Sequence, residues 1–126
     1  MLNSKKSLGD FGENFTVKYL KKNGYKIVSQ NFHSRYGEID IIAVKNDILA
    51  FVEVKARAHN SLFKPREAVD YYKQNKIIKT AQLFMMAYNS NIQPRFDVSE
   101  VVVIKTEKDK YKVLEFEYIE NAFSVG

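Results

Sequence analysis

Glu38-Ile39-Asp40-Ile41-Ile42-Ala43-Val44 and Ile48-Leu49-Ala50-Phe51-Val52-Glu53-Val54-Lys55, joined by Lys45-Asn46-Asp47, decide how this chain is read. Both runs are rich in β-branched and aromatic residues, and the short polar link between them predicts an antiparallel hairpin. Charges normally avoid such runs, because burying an unpaired carboxylate is costly. Asp40, Glu53 and Lys55 nevertheless stand inside them. Side chains alternate across a strand, so Glu38, Asp40 and Ile42 are expected on one face and Ile39, Ile41 and Ala43 on the other. Phe51, Glu53 and Lys55 share a face of the second strand. The polar faces of the two strands point the same way if Asp40 and Glu53 meet near the open end of the hairpin, and Lys55, two residues from Glu53, then faces the same pocket.

Upstream, Leu8, Phe11, Phe15 and Tyr19 recur three and four residues apart and predict a helix over 7–23. Ser7 or Asp10 is its expected cap and Asn23-Gly24 its stop. A first strand over 25–32 and a turn over 34–37 lead into the hairpin. Downstream, 56–65 reads as a polar, basic loop. A long helix follows over 66–88, with Ile77, Ala81, Phe84, Met85 and Tyr88 as its buried stripe. Strands over 96–104 and 111–116 and a last helical turn over 120–123 complete the pattern. The order α-β-β-β-α-β-β predicts an α/β fold, a mixed central β-sheet flanked by helices. The crossover from Lys55 to Phe96 is long enough for a parallel return strand.

A length of 126 residues suits one domain spanning 1–126 with its own core. The lack of cysteine excludes disulfides and thiolate metal sites and fits a reducing compartment. The first residues show no apolar run of signal-peptide length, and no stretch approaches the roughly 18 apolar residues of a membrane span. The expectation is a cytoplasmic protein with no membrane partner. A net charge of +5 and a pI of about 9.3 favour a polyanionic partner, although many soluble proteins are equally basic. No Gly-rich phosphate loop, Ser-His-Asp arrangement or zinc motif occurs. His33 and His59 are isolated and read as surface or loop residues.

Two acids and a lysine at strand positions suit phosphodiester hydrolysis. That reaction needs a nucleophilic water, charge neutralisation at the phosphorus and help for the leaving oxygen. A divalent ion lowers the pKa of its water and clamps phosphate oxygens. Mg²⁺ takes oxygen ligands, usually one or two carboxylates with waters and substrate phosphate making up the rest. Asp40 and Glu53 are suitable ligands, and the backbone carbonyl of Val54 could add an oxygen. The Lys55 ammonium could orient water or stabilise developing negative charge. The competing reading is an ion pair between Glu53 and Lys55 or a neighbour. Glu38, on the Asp40 face, is either an accessory ligand or a strand-end charge. Glu13 stands near the start of the first helix, where the helix dipole favours an acid.

Asp40 followed by Glu53-Val54-Lys55 on a hairpin after a first helix resembles the PD-(D/E)XK nuclease superfamily. Ile39 takes the place of that motif's proline. Further stretches narrow the likeness: Gly9-Asp10-Phe11-Gly12-Glu13, Asn31 to His33, Gly37 to Asp40, Phe51 to Arg57, Lys73, Arg95-Phe96-Asp97-Val98 and Asn121-Ala122-Phe123. Together they span nearly the whole chain and resemble the bacterial YraN family, which is similar in turn to archaeal Holliday-junction resolvases. The resemblance implies a restriction-endonuclease-like core and a nuclease dependent on Mg²⁺ or Mn²⁺. In it Asp40 and Glu53 correspond to metal ligands, Lys55 to the catalytic lysine and Glu13 to a first-helix acid completing the metal site. It implies DNA as partner, with branched or flapped DNA as the substrate class. Resolvases are dimeric, so a homodimer is one open oligomeric state.

Arg57, Lys64 and Arg66 surround the loop after the hairpin, and Lys73, Lys76 and Lys79 recur three apart on the second helix. Such charges can track a phosphate backbone; for Lys76 and Lys79 a solvated helix face is the plainer reading. Tyr71 and Tyr72 could stack on unpaired bases, with one of the two expected in the core. The alternative to a nuclease is a non-catalytic nucleic-acid-binding or accessory protein, its acids and lysine vestigial or active only with a partner.

Overall fold

The computed structural model describes residues 4–60, 69–88, 91–108 and 110–125. Helix α1 (Ser4–Lys22) precedes β1 (Lys26–His33), β2 (Glu38–Lys45) and β3 (Ile48–Ala58). Helix α2 (Tyr71–Met86), β4 (Gln93–Glu107) and β5 (Lys110–Phe123) follow. The strands form one sheet in the order β1-β2-β3-β4-β5. β3 and β4 are parallel, and every other neighbouring pair is antiparallel. The crossover through α2 returns the chain parallel to β3, as its length predicts. The mixed sheet flanked by helices is the one expected for a restriction-endonuclease-like core.

Strand alternation divides the sheet into two faces. Ile42, Phe51, Phe96 and Val98 pack with Val69, Ile77 and Ala81 on the α2 side. Ile41, Ala43, Ala50 and Val52 pack with Leu20 and Tyr25 on the α1 side. Phe51 stacks on Phe96 and meets Phe84 edge-on, and burying such a side chain stabilises the fold by about 1.5–3 kcal/mol. The predicted stripes are the ones used: Phe15 and Tyr19 of α1 contact Phe116, and Phe84 of α2 contacts Phe32, Phe51 and Tyr88.

Two local devices fix α1. At its end, Tyr25 N–H donates to the Leu20 carbonyl and Gly24 N–H to that of Lys21, with Gly24 at φ 88°. Glycine adopts that left-handed conformation without steric cost. Midway, the helix lies so close to β3 that a Cβ on Gly12 would come within 2.7 Å of the Ala56 Cβ. One turn later, Thr16 Oγ1 shares a 2.8 Å hydrogen bond with Ser99 Oγ of β4.

Several local expectations are corrected. α1 begins at Ser4, so Ser7 and Asp10 lie inside it, and Asp10 pairs with Lys6 at 3.5 Å instead of capping. Residues 56–58 extend β3 rather than opening a loop, because β4 offers Val101, Val102 and Val103 as partners. The expected loop over 61–65 and helix start over 66–68 fall outside the described residues. Asp70 caps α2, its Oδ1 accepting the Lys73 N–H at 2.7 Å. No helical turn forms over 120–123. β5 continues there, and Phe123 pairs with and stacks on Phe96. Ile39 joins the α2-side cluster rather than Ile41 and Ala43; beyond Ile41 the strand has lost its β3 partner and is paired with β1 alone.

One buried ionic group ties the sheet's edges together. Asp97 of β4 is fully buried. It accepts from Arg95 Nε at 2.9 Å, from Tyr118 Oη at 2.6 Å and from the Asn121 N–H at 2.9 Å. Arg95 also donates to Tyr25 Oη. Hydrogen bonding to Asp97 raises the Arg95 pKa, and burial raises that of Tyr118. Breaking one side of a buried ion pair leaves the other charge uncompensated. Asp97→Asn is therefore expected to lower unfolding free energy by about 3 kcal/mol in urea titrations; a loss under about 1 kcal/mol would show that Arg95 is satisfied without the carboxylate.

Candidate functional site

The β2–β3 ladder runs from Lys45↔Ile48 to Ile41↔Val52 and stops there. At the next step Asp40 Oδ2 accepts the Val54 N–H at 2.7 Å. A side-chain carboxylate thus takes a donor that a strand carbonyl would otherwise take. β1 bends at the same level. The pairs Gln30↔Ile41 and Phe32↔Ile39 bracket Asn31, which has φ 53°. The fork that results lets Asp40 turn toward Glu53, the residue after Val52. Glu53 is only 6% exposed and lies under α2, where Lys73 Nζ forms an ion pair with its Oε2.

These groups line an open cleft of about 380 Å³. Gly37, Glu38, Asp40 and Glu53 form its strand side, and Asp70, Tyr72, Lys73 and Lys76 its helix side. Burial, followed by the negative charge of Glu53, pushes the Asp40 carboxyl up to about 7, against the opposing pull of the Val54 N–H. Burial works against the Lys73 ammonium, but its bond to Glu53 and the charges of Glu53, Asp40 and Asp70 outweigh it, so its pKa rises.

Among the described residues no group of three or more carboxylates and imidazoles converges. Asp40 and Glu53 are the two carboxylates that interact directly, and two carboxylates are what a hard divalent cation commonly takes from protein. Their mutual repulsion is the kind of strain that a cation relieves, and Lys73 already supplies one positive charge there. The donor set therefore fits Mg²⁺ or Mn²⁺.

The other residues singled out from the sequence divide. Glu38 lines the cleft and pairs with His33 at 3.4 Å on an exposed surface. Glu13 does not line it. Its Oε1 accepts from Asn31 Nδ2 at 2.9 Å, and the charge of Glu13 is felt at Asp40. Burial raises the Glu13 pKa, opposed by the Asn31 bond. Val54 touches Asp40 through its N–H, and its carbonyl remains the backbone oxygen expected from the sequence as a further ligand. Lys55 does not line the cleft. From Phe51 to Glu53 the α2 partner moves from Phe84 back to Lys73, so Lys55 falls beyond the start of the helix. Lys73 holds Glu53 itself rather than standing free for phosphate.

Arg57 lines a second cleft of about 540 Å³ with His59, Glu100 and Glu115. Although larger, that cleft contains neither Asp40 nor Glu53. Lys64 and Arg66 lie outside the described residues. Tyr71 and Tyr72 are both exposed, at 77% and 70%, so neither is core. The Asp97 network escaped the sequence reading, though an acid in an apolar strand was the same signal that marked Asp40.

A profile described as "Uncharacterised protein family UPF0102" matches residues 12–101, a span containing α1 from Gly12 onward, the whole hairpin and α2. The chain belongs to the UPF0102 family. It is 42% identical over 121 residues to a UPF0102 protein of Caldanaerobacter subterraneus subsp. tengcongensis, covering 95% of this chain and 97% of the relative. It is 43% identical to UPF0102 proteins of Clostridium perfringens, over 123 residues, and Clostridium botulinum, over 122; each match covers 95% of this chain and 96% of the relative. Among the described residues no helix is long and apolar enough to cross a membrane.

For this UPF0102 chain the raised Asp40 pKa has a thermodynamic consequence. A carboxyl whose folded pKa exceeds its unfolded value stabilises the fold fully below about pH 4, and that contribution is lost as pH rises through about 7. Asp40→Asn keeps an acceptor for Val54 N–H and removes the titration. In EDTA, the variant should be more stable than wild type at pH 8 by on the order of 2 kcal/mol, and the difference should shrink toward pH 4. Urea unfolding at both pH values measures it; a difference independent of pH would mean that Asp40 is ionised throughout.

Proposed function

We propose that this protein is a Mg²⁺- or Mn²⁺-dependent endonuclease that hydrolyses DNA phosphodiester bonds, with branched or flapped DNA as its substrate class. The observation that carries the reading is the placement of Asp40 and Glu53 on one wall of an open cleft, where burial first and the Glu53 charge second push the Asp40 carboxyl up to about 7. A fold gains no stability from such repulsion, and perturbed carboxylates in a cleft mark functional sites. The resolvase resemblance supports the substrate class.

When bound, a divalent ion supplies charge neutralisation at the phosphate and a water of lowered pKa. The chain's own groups do the rest. The Val54 N–H fixes the Asp40 carboxylate, and Glu53 is held by Lys73. Both acids present their oxygens to the same space. Lys73, paired with Glu53 on the cleft wall, would add positive charge beside a phosphate bound there. Lys76, on the next turn of α2 and on the cleft wall, is placed for a neighbouring phosphate. Lys55 is the lysine that the superfamily pattern would name, but Lys73 is the lysine on the acids.

A second reading has its own support. The Lys73–Glu53 pair satisfies the buried acid without a metal ion, as a nucleic-acid-binding or partner-dependent protein would require. Cleavage of end-labelled single-stranded, duplex, flapped and four-way-junction DNA separates the two, with Mg²⁺, Mn²⁺ or EDTA. Metal-dependent cutting is expected, and Asp40→Asn should abolish it while folding normally. Lys73→Ala should reduce it at least about 100-fold, the scale of losing one electrostatic stabiliser, whereas Lys55→Ala is the direct test of the superfamily assignment. Cutting retained by Asp40→Asn would remove the site, and binding without cutting by the wild type would favour the second reading.

A further inference from the structure

Beside the acid cleft, aromatic rings and cations alternate along the surface. The turn between β1 and β2 packs on α2: Ser34 Oγ and Thr80 Oγ1 share a 2.8 Å hydrogen bond. A Cβ on Gly37 would lie 3.5 Å from that of Lys76. The contact brings two sets of side chains into one strip. The Arg35 guanidinium lies 5.0 Å from the Tyr36 ring centroid and Lys79 Nζ 5.5 Å from it. Lys76 Nζ lies 4.5 Å from the Tyr72 ring centroid. Tyr72 and Lys76 also line the cleft that holds Asp40 and Glu53. Tyr71 stands next to Tyr72 with most of its ring in solvent.

Large aromatic side chains are costly to leave in water, and a pair more than two-thirds exposed beside a functional cleft calls for an occupant. The cations decide its chemistry. Arg35, Lys76 and Lys79 bring positive charge to the strip, so an acidic backbone is favoured. The rings need flat partners. A fully paired duplex offers phosphates but keeps its base faces stacked internally. A single-stranded segment offers both, and aromatic stacking with backbone neutralisation is how unpaired nucleic acid is bound without sequence preference.

We propose that Tyr71, Tyr72, Tyr36 and their flanking cations form a binding strip for an unpaired nucleotide segment next to the acid cleft. Tyr72 is its specificity-determining residue. The strip selects nucleic acid in which single-stranded nucleotides adjoin the phosphate that enters the cleft. This deepens the nuclease reading and rests on it for the link to cleavage, while the binding itself is separable from catalysis.

The test measures fluorescence anisotropy in EDTA, where no cleavage contributes. The probes are a labelled oligodeoxythymidine and a blunt duplex of equal length. Wild type should bind the single strand more tightly than the duplex. Tyr72→Ala should weaken single-strand binding about tenfold, one stacked base at roughly 1.4 kcal/mol, and duplex binding less than about twofold. Tyr72→Phe should restore it, since stacking needs the ring and not the hydroxyl. Lys76→Gln should weaken both probes alike and flatten the salt dependence. These residues are exposed, so thermal melts should match wild type. Equal loss of both probes in Tyr72→Ala, failure of the Phe variant to restore binding, or no single-strand preference in wild type would overturn the proposal. Absence of cutting would sink the nuclease reading without touching this one, and cutting with unchanged single-strand binding in Tyr72→Ala would sink this one alone.

Discussion

The hydrogen bond from the Val54 N–H to Asp40 Oδ2 is the contact on which the candidate site depends. It stands where the β2–β3 ladder ends, and it lets the two strands part without leaving a backbone donor unpaired. Everything at the site follows from that parting. Asp40 is held by its own hairpin and turned toward Glu53. Asn31 of β1 accommodates the bend in a left-handed conformation and is tied to α1 through Glu13. The acid cleft is therefore a consequence of how one sheet opens, supported from behind by the first helix.

The second constraint is charge. Two carboxylates sharing a low-dielectric space cannot both ionise freely, and the molecule answers in two ways. Burial and repulsion keep Asp40 protonated to higher pH, and Lys73 reaches from α2 to neutralise Glu53. The same helix carries Tyr72 and Lys76 to the rim. α2 is thus both the lid over Phe51 and Phe96 and the element that gives the cleft its cation and aromatic wall. Asp97 shows the opposite outcome of a buried acid. Arg95, Tyr118 and the Asn121 N–H satisfy it completely, and it locks β4 and β5 rather than opening a cleft.

Most of the fold was legible because its signals are local. Hydrophobic recurrence every three or four residues marked α1 and α2, and the alternating runs around Asn46 marked the hairpin. Errors fell where neighbours in space overrule neighbours in sequence. Residues 120–123 look helical alone, yet β4 offers them Phe96 and Asp97. Ile39 should face away from Ile42, yet both sit in the α2-side cluster, at a point where β2 has lost its β3 partner and pairs with β1 alone. Tyr71 and Tyr72 follow helical spacing near a core stripe, yet both rings are exposed in the first turn of α2 rather than joining that stripe.

By itself the sequence determined the hairpin and which residues share a face of each strand, which put Asp40 and Glu53 within reach of each other near its open end. It also pointed to a mixed sheet, because a helical crossover of this length suits a parallel return strand. Only the tertiary structure decided which lysine meets the acids. Lys55 is two residues from Glu53 in the chain, whereas Lys73 is a crossover away and yet in contact. The physical reason is that strand period fixes the face of a side chain but not its cover. The cover is set by where α2 begins and how it lies across β3, and that depends on the packing of Ile77, Ala81 and Phe84 against the sheet.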